Sequence, residues 1–146
     1  MSTWILIHYR LPNKPSALRV YIWRKLKRLG AILLHEAVWV VPDQPRTAEQ
    51  IQWLRAEIQE RGGEAYSWRA SAILEADNES ITEQFNEQVD AVYSDLLKQL
   101  GKSKADLQEI ARQYQLAASQ DFFHSKLGLL VREKLQSAAL SARRKT

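Results

Sequence analysis

Between residues 4 and 74 the apolar pattern switches repeatedly between the two-residue period of a strand and the 3.6-residue period of a helix, in the order β-α-β-β-α-β. Few folds accept that order. "TWILIHYRL" sets Trp4, Leu6 and His8 against Ile5, Ile7 and Tyr9, which reads as a strand covered on both faces, and Pro12 and Pro15 stop it. Ser16 is then placed to cap a helix whose Leu18, Ile22, Leu26 and Leu29 share a stripe about 80° wide, with Gly30 at the left-handed position beyond its end. Two short runs at 32–35 and 38–41 stand so close that only a tight antiparallel hairpin joins them, and Pro42 ends the second. Thr47 and Gln50 form a capping box ahead of Ile51, Leu54 and Ile58, Gly62-Gly63 closes that helix, and "EAYSWRASAIL" is the last strand. This order is that of the ferredoxin-like split βαβ unit.

Beyond "LEADNES", the one acidic joint in the chain, the strand period disappears. Ile81, Phe85, Val89, Val92, Leu96 and Leu100 follow helical spacing up to Gly101. Ser103 is placed to cap a helix bearing Leu107, Ile110 and Tyr114. Leu127, Val131, Leu135 and Ala138 mark another after "QDFFHS", and "SARRKT" reads as a frayed end. The expected fold class is therefore α+β: a ferredoxin-like sheet domain over residues 1–75, then a helical segment of about three helices over 76–146 packed on it.

A hydrophobic content of 45% supports a real core, and the absence of cysteine removes disulfides, thiolate metal sites and cysteine nucleophiles. "MSTWILIHYRLP" lacks a basic segment ahead of an apolar run and is far shorter than the roughly 20 residues a membrane span needs, so the cytoplasm is the expected location, with no membrane partner. Residues 1–74 hold 11 Lys and Arg against 6 Asp and Glu, whereas residues 75–146 hold 10 against 11. The basic half favours polyanionic partners.

Enzyme chemistry finds little support. His8, His35 and His124 are scattered, the first two within expected strands, and no carboxylate neighbours them at metal-ligand spacing. Glu83, Glu87 and Asp90 line one side of a helix without a Glu-x-x-His partner, which reads as a solvated acidic face. Neither a Walker loop nor a nucleophile elbow is present. No catalytic residue, metal or cofactor is assigned. Trp4, Trp39 and Trp68, all in expected strands, read as core or covered sheet. Trp23 and Trp53 lie off the apolar stripes of their helices, so each calls for a second surface, from the C-terminal helices or a second subunit.

Residues 4–42, "WILIHYRLPNKPSALRVYIWRKLKRLGAILLHEAVWVVP", resemble the N-terminal domain of ChrB, the chromate-resistance regulator family. The order of pieces carries the resemblance: a strand ending Tyr-x-x-Pro, then "PSALRVYIWRKLKRLGA", "AVWVVP" and "QIQWLRAEIQERGGEA", with "DFF" at 121–123 similar to a later helical segment. The family is similar in outline to the repressor of phenylacetate degradation and to small ferredoxin-like nuclease subunits. Those nucleases hold metal with an aspartate at the end of the first strand, where this chain has "HYRL".

The resemblance implies a chromate-responsive regulator that binds duplex DNA. On that reading Arg19, Arg24, Lys27 and Arg28, spread around the helix outside its leucine stripe, neutralise phosphates. The same donors suit chromate or another tetrahedral oxyanion as effector. The alternative is a non-enzymatic module that forms a homodimer, the oligomeric state expected for the chain, or docks onto a separate regulator, in either case without touching DNA.

Overall fold

A computed structural model describes residues 3–14 and 16–144, so the proposed stop at Pro15 lies outside the described residues. In order, the elements are β1 (Thr3–Arg10), α1 (Ser16–Leu29), β2 (Ile32–Leu34), β3 (Val38–Pro42), α2 (Pro45–Glu60), β4 (Glu64–Ser71), α3 (Glu75–Leu100), α4 (Leu107–Ser119) and α5 (Lys126–Arg144). The protein is α+β, and its described residues form one four-stranded antiparallel sheet ordered β2-β3-β1-β4 and five helices. Two compact units divide inside α3, at Glu79 and Ser80.

In the sheet unit, Ile5 and Ile7 of β1, Trp39 and Val41 of β3, and Ala65 of β4 meet Leu18, Ile22 and Leu26 of α1 and Ile51, Leu54 and Ile58 of α2 in one core. Both helices end alike. Gly30 takes a φ of 84°, with its N–H on the Lys27 carbonyl and that of Ala31 on Leu26. Gly62 takes a φ of 87°, with its N–H on Gln59 and that of Gly63 on Ile58. These paired bonds satisfy carbonyls the helix leaves open, and glycine reaches that conformation without a Cβ penalty. The β2–β3 hairpin turns on His35 and Glu36 at φ 51° and 63°, so His35 is a turn residue and not a strand residue.

Other local readings need correction. Ser16 is the first helical residue rather than the cap. Thr47 sits at the third position of α2 and not at its N-cap; Gln44 holds the cap, donating its backbone N–H to Thr47 Oγ1 at 3.1 Å, while that buried hydroxyl donates to the Pro42 carbonyl. Asp106, not Ser103, caps α4, because its carboxylate accepts the Glu109 N–H at 3.1 Å. The acidic joint is the first turn of α3, where Glu75 and Asp77 oppose the positive end of the helix dipole. At the other end, residues 141–144 of the stretch expected to be frayed continue α5, and residues 145 and 146 lie outside the described residues.

The helical unit is closed by Val89, Tyr93 and Leu96 of α3 packed with Ile110 and Ala117 of α4 and Val131 of α5. Tyr93 takes the place expected for Val92, which is exposed. The buried stripe runs through the larger ring, whose hydroxyl donates to Asp121 Oδ2 at 3.0 Å, and Val92 is left at its outer edge. Among the described residues no helix is long and apolar enough to cross a membrane.

Candidate functional site

The leucine stripe that seats α1 on the sheet fixes which side chains it turns outward. Leu18, Ile22 and Leu26 are buried and Leu29 half-buried, while Arg19, Arg24, Lys27 and Arg28 are all exposed. At 100° per residue these four cations do not converge. Arg19 and Lys27 flank Trp23 on one side, and Arg24 and Arg28 lie on the other.

The first flank opens on a cleft of about 440 Å³, between α1, the end of β1 and the β2–β3 hairpin, where Arg10, Asn13, Arg19 and Trp23 stand over Tyr9 and Trp39. Burial raises the Tyr9 pKa above its usual value, opposed by the Trp39 hydrogen bond and the Arg19 charge. The Lys27 ammonium lies 5.9 Å from the Trp23 ring centroid, within cation–π range.

On the second flank, Lys25 and Arg28 line a groove of about 240 Å³ between α1 and α2, with Leu29, Trp53 and Leu54. Lys25 is committed there: its Nζ donates to Glu57 Oε2 at 2.9 Å and lies 5.1 Å from the Tyr21 ring, which Arg61 covers at 4.9 Å. The hydrogen bond to Glu57 is the main reason the Lys25 pKa is raised. Burial alone would lift Glu57, but hydrogen bonds from Tyr21 and Lys25 outweigh it and hold the carboxyl below its usual range.

Trp23 and Trp53, expected against a second surface, are 48% and 70% exposed. Trp4 and Trp39 are buried, but Trp68 is not: it is 54% exposed beside Tyr66, on the sheet face opposite α1 and α2. Alternation in "EAYSWRAS" puts Tyr66 and Trp68 on one face and Ala65, Ser67 and Arg69 on the other, but it is Ala65, not the aromatic pair, that meets the helices. Glu83 and Glu87 are exposed, Asp90 accepts the Ser125 hydroxyl, and no group of three or more His, Asp or Glu able to hold a metal occurs among the described residues.

The arrangement defines an α+β protein with a basic helix surface on a single antiparallel sheet. Comparison with known sequences is more specific. Residues 19–120 match the family described as Protein ChrB, N-terminal, and the chain belongs to that family. It is 21% identical over 108 residues to Protein ChrB of Cupriavidus metallidurans, an overlap of 74% of this chain and 33% of that protein. The chain thus spans about a third of the length of the curated relative it matches. No solved structure matches it.

Proposed function

We propose that this chain is a non-enzymatic regulatory module of a chromate-resistance system, working in the cytoplasm, that holds duplex DNA through the outward side of α1. The observation that carries the reading is the exposure of Arg19, Arg24, Lys27 and Arg28 on a ChrB-family domain whose leucine stripe is already occupied by the sheet. Strand order β4-β1-β3-β2, with α1 and α2 sharing one core, supports a ferredoxin-like reading of the sheet unit. On this reading the helix docks along phosphates, since its apolar face is not available to enter a groove.

The test is a duplex titration over a range of salt. Four neutralised phosphates give a slope of log K against log salt of roughly −3 to −4. Reversing Arg24 and Arg28 to glutamate removes about two of those equivalents. An unchanged slope in the double variant, or no duplex binding by the parent protein at low salt, overturns the reading.

Two further readings stand beside it. Arg10, Arg19 and Asn13 lining one cleft support a chromate-class oxyanion as effector, and calorimetric binding of chromate but not chloride, lost in Arg19→Ala, is the expected sign. The exposed indoles of Trp23 and Trp53 support homodimerisation or docking onto a separate regulator instead of DNA. Sedimentation as a monomer at every concentration removes the dimer.

A further inference from the structure

On the sheet face opposite α1 and α2, three rings from two strands meet. The register pairs His8 with Tyr66 and Leu6 with Trp68, so His8, Tyr66 and Trp68 project to the same side, away from Ile5, Ile7 and Ala65. Trp68 Nε1–H donates to His8 Nε2 at 2.8 Å, and the two ring planes are 11° apart with centroids separated by 6.2 Å. An indole N–H and an imidazole lone pair each lie in the plane of their own ring. Parallel planes joined by such a bond meet edge to edge, which makes a tile and not a pile. Tyr66 adjoins both at 5.7 and 6.4 Å, tilted by 27° and 28°. Tyr66 and Trp68 remain 56% and 54% exposed.

We propose that His8, Tyr66 and Trp68 form a stacking platform for the unpaired bases of a single nucleic-acid strand. A continuous aromatic surface fixed by an internal hydrogen bond offers π-area to a planar heterocycle without having to be ordered first. The Tyr66 hydroxyl and the imidazole edge supply hydrogen-bonding groups beside it. Charge fits the same occupant. Arg10 follows His8 on this face of β1, and its ion pair with Glu64 at 2.9 Å joins side chains 80% and 65% exposed. So exposed a pair contributes little to folding, and a phosphate can take the place of Glu64. Residues 1–74, which include the whole platform, carry five more Lys and Arg than Asp and Glu. A duplex is not the occupant, because paired and stacked bases present no free face. This site uses none of the four α1 cations, and Arg10, which also lines the cleft beside Arg19, is the one residue it shares with that side.

The experiment is anisotropy titration of short labelled oligo-dT and oligo-U with the full chain, against an abasic strand of the same length. The parent protein binds the base-bearing strands in preference to the abasic one. Trp68→Ala and Tyr66→Ala each lose roughly 5- to 150-fold, the range for removing one stacked base. Trp68→Phe recovers part of the loss. Because both side chains are more than half exposed, circular dichroism of the variants matches the parent. The dT and U arms identify which strand binds better, and oligo-dU, which differs from oligo-U in the 2′-hydroxyl alone, assigns any gain for U to that group. Equal binding of abasic and base-bearing strands, unchanged affinity in both alanine variants, or no binding of either strand at low salt overturns the platform. None of these outcomes bears on the duplex slope set by Arg24 and Arg28, so the two proposals fail separately.

Discussion

The sheet unit buries Trp4 and Trp39 but turns four other large aromatic side chains outward, and the helical unit turns its own in. Trp23, Trp53, Tyr66 and Trp68 are all exposed on the first, whereas Phe85 and Tyr93 are buried in the second and Tyr114, Phe122 and Phe123 are at least half-covered. In the helical unit the rings fill space: Phe85 meets Phe122 edge-on at 5.6 Å, and Tyr93 lies 6.1 Å from Tyr114. In the sheet unit the aliphatic contacts of α1, α2, β1 and β3 build most of the core, so several large rings are surplus to packing. Surplus aromatic surface is where recognition is to be sought. The sequence also supplies a way to watch the units apart, since all five tryptophans lie between residues 4 and 68. Tryptophan fluorescence follows the sheet unit, and far-ultraviolet circular dichroism weights the helices.

Leu26→Ala makes the largest break. Leu26 is fully buried in the middle of the α1 stripe, and core leucine truncations cost about 2–5 kcal/mol. Chemical denaturation followed by tryptophan fluorescence should shift by that amount. A loss below about half a kcal/mol would mean that α1 contributes little to the sheet core. Gly128→Ala comes next, and it strikes the other unit. A Cβ there would lie 2.9 Å from the Tyr93 ring and 3.0 Å from Asp121 Oδ2, both held by their mutual hydrogen bond, so overpacking should cost about 1–3 kcal/mol. Circular dichroism should register it, with the fluorescence transition displaced less.

What was legible in the sequence follows the same division. The α1 stripe could be read because a 3.6-residue apolar period has one burial solution against a sheet. The glycine stops could be read because a Schellman ending leaves few alternatives. The platform could not be located, since β4 finds β1 across nearly sixty residues of chain and Trp68 reads as core until its partner strand and edge position are known. Nor was the choice of Tyr93 over Val92 legible: both sit beside the stripe, and what decides is a carboxylate 28 residues on. The outward cations of α1 and their spread around the helix were evident, but not the cleft and the groove on which the two flanks open.

Alkaline pH sharpens the comparison. Burial, then the hydrogen bond and charge of Asp121, raise the Tyr93 pKa well above its ordinary 10.0. A tyrosine raised in the folded state contributes stability that is complete below the unfolded value and declines as pH rises past it. The dichroism-detected stability should therefore fall above about pH 10, and Tyr93→Phe should flatten that limb while costing about 1.5–3 kcal/mol at neutral pH, the range for a hydrogen bond to a charged group. An unaltered limb in Tyr93→Phe would assign it to other tyrosines or to lysines.

The smallest effect tests whether the basic surface of the sheet unit is held by its own ion pairs. Lys25 and Glu57 join α1 to α2 with side chains 46% and 21% exposed, and pairs this open to solvent are worth about 0–1 kcal/mol. Glu57 is lowered from 4.5, so its contribution is complete above that value and is lost as pH falls through the folded pKa. Lys25 is raised from 10.5, so its contribution is complete below that value and is lost as pH climbs through the folded pKa. Between those limits the pair is ionised in folded and unfolded chains alike, and Lys25→Met should lower fluorescence-detected stability by a nearly constant amount from about pH 5 to pH 10. Salt at 1 M, where the screening length is about 3 Å, should remove part of the difference. A loss beyond about 2 kcal/mol, insensitive to salt, would mean that the Lys25 stem and the Tyr21 ring it covers belong to the core. The aromatic surplus of this unit would then begin at Trp23 and Trp53 and exclude Tyr21.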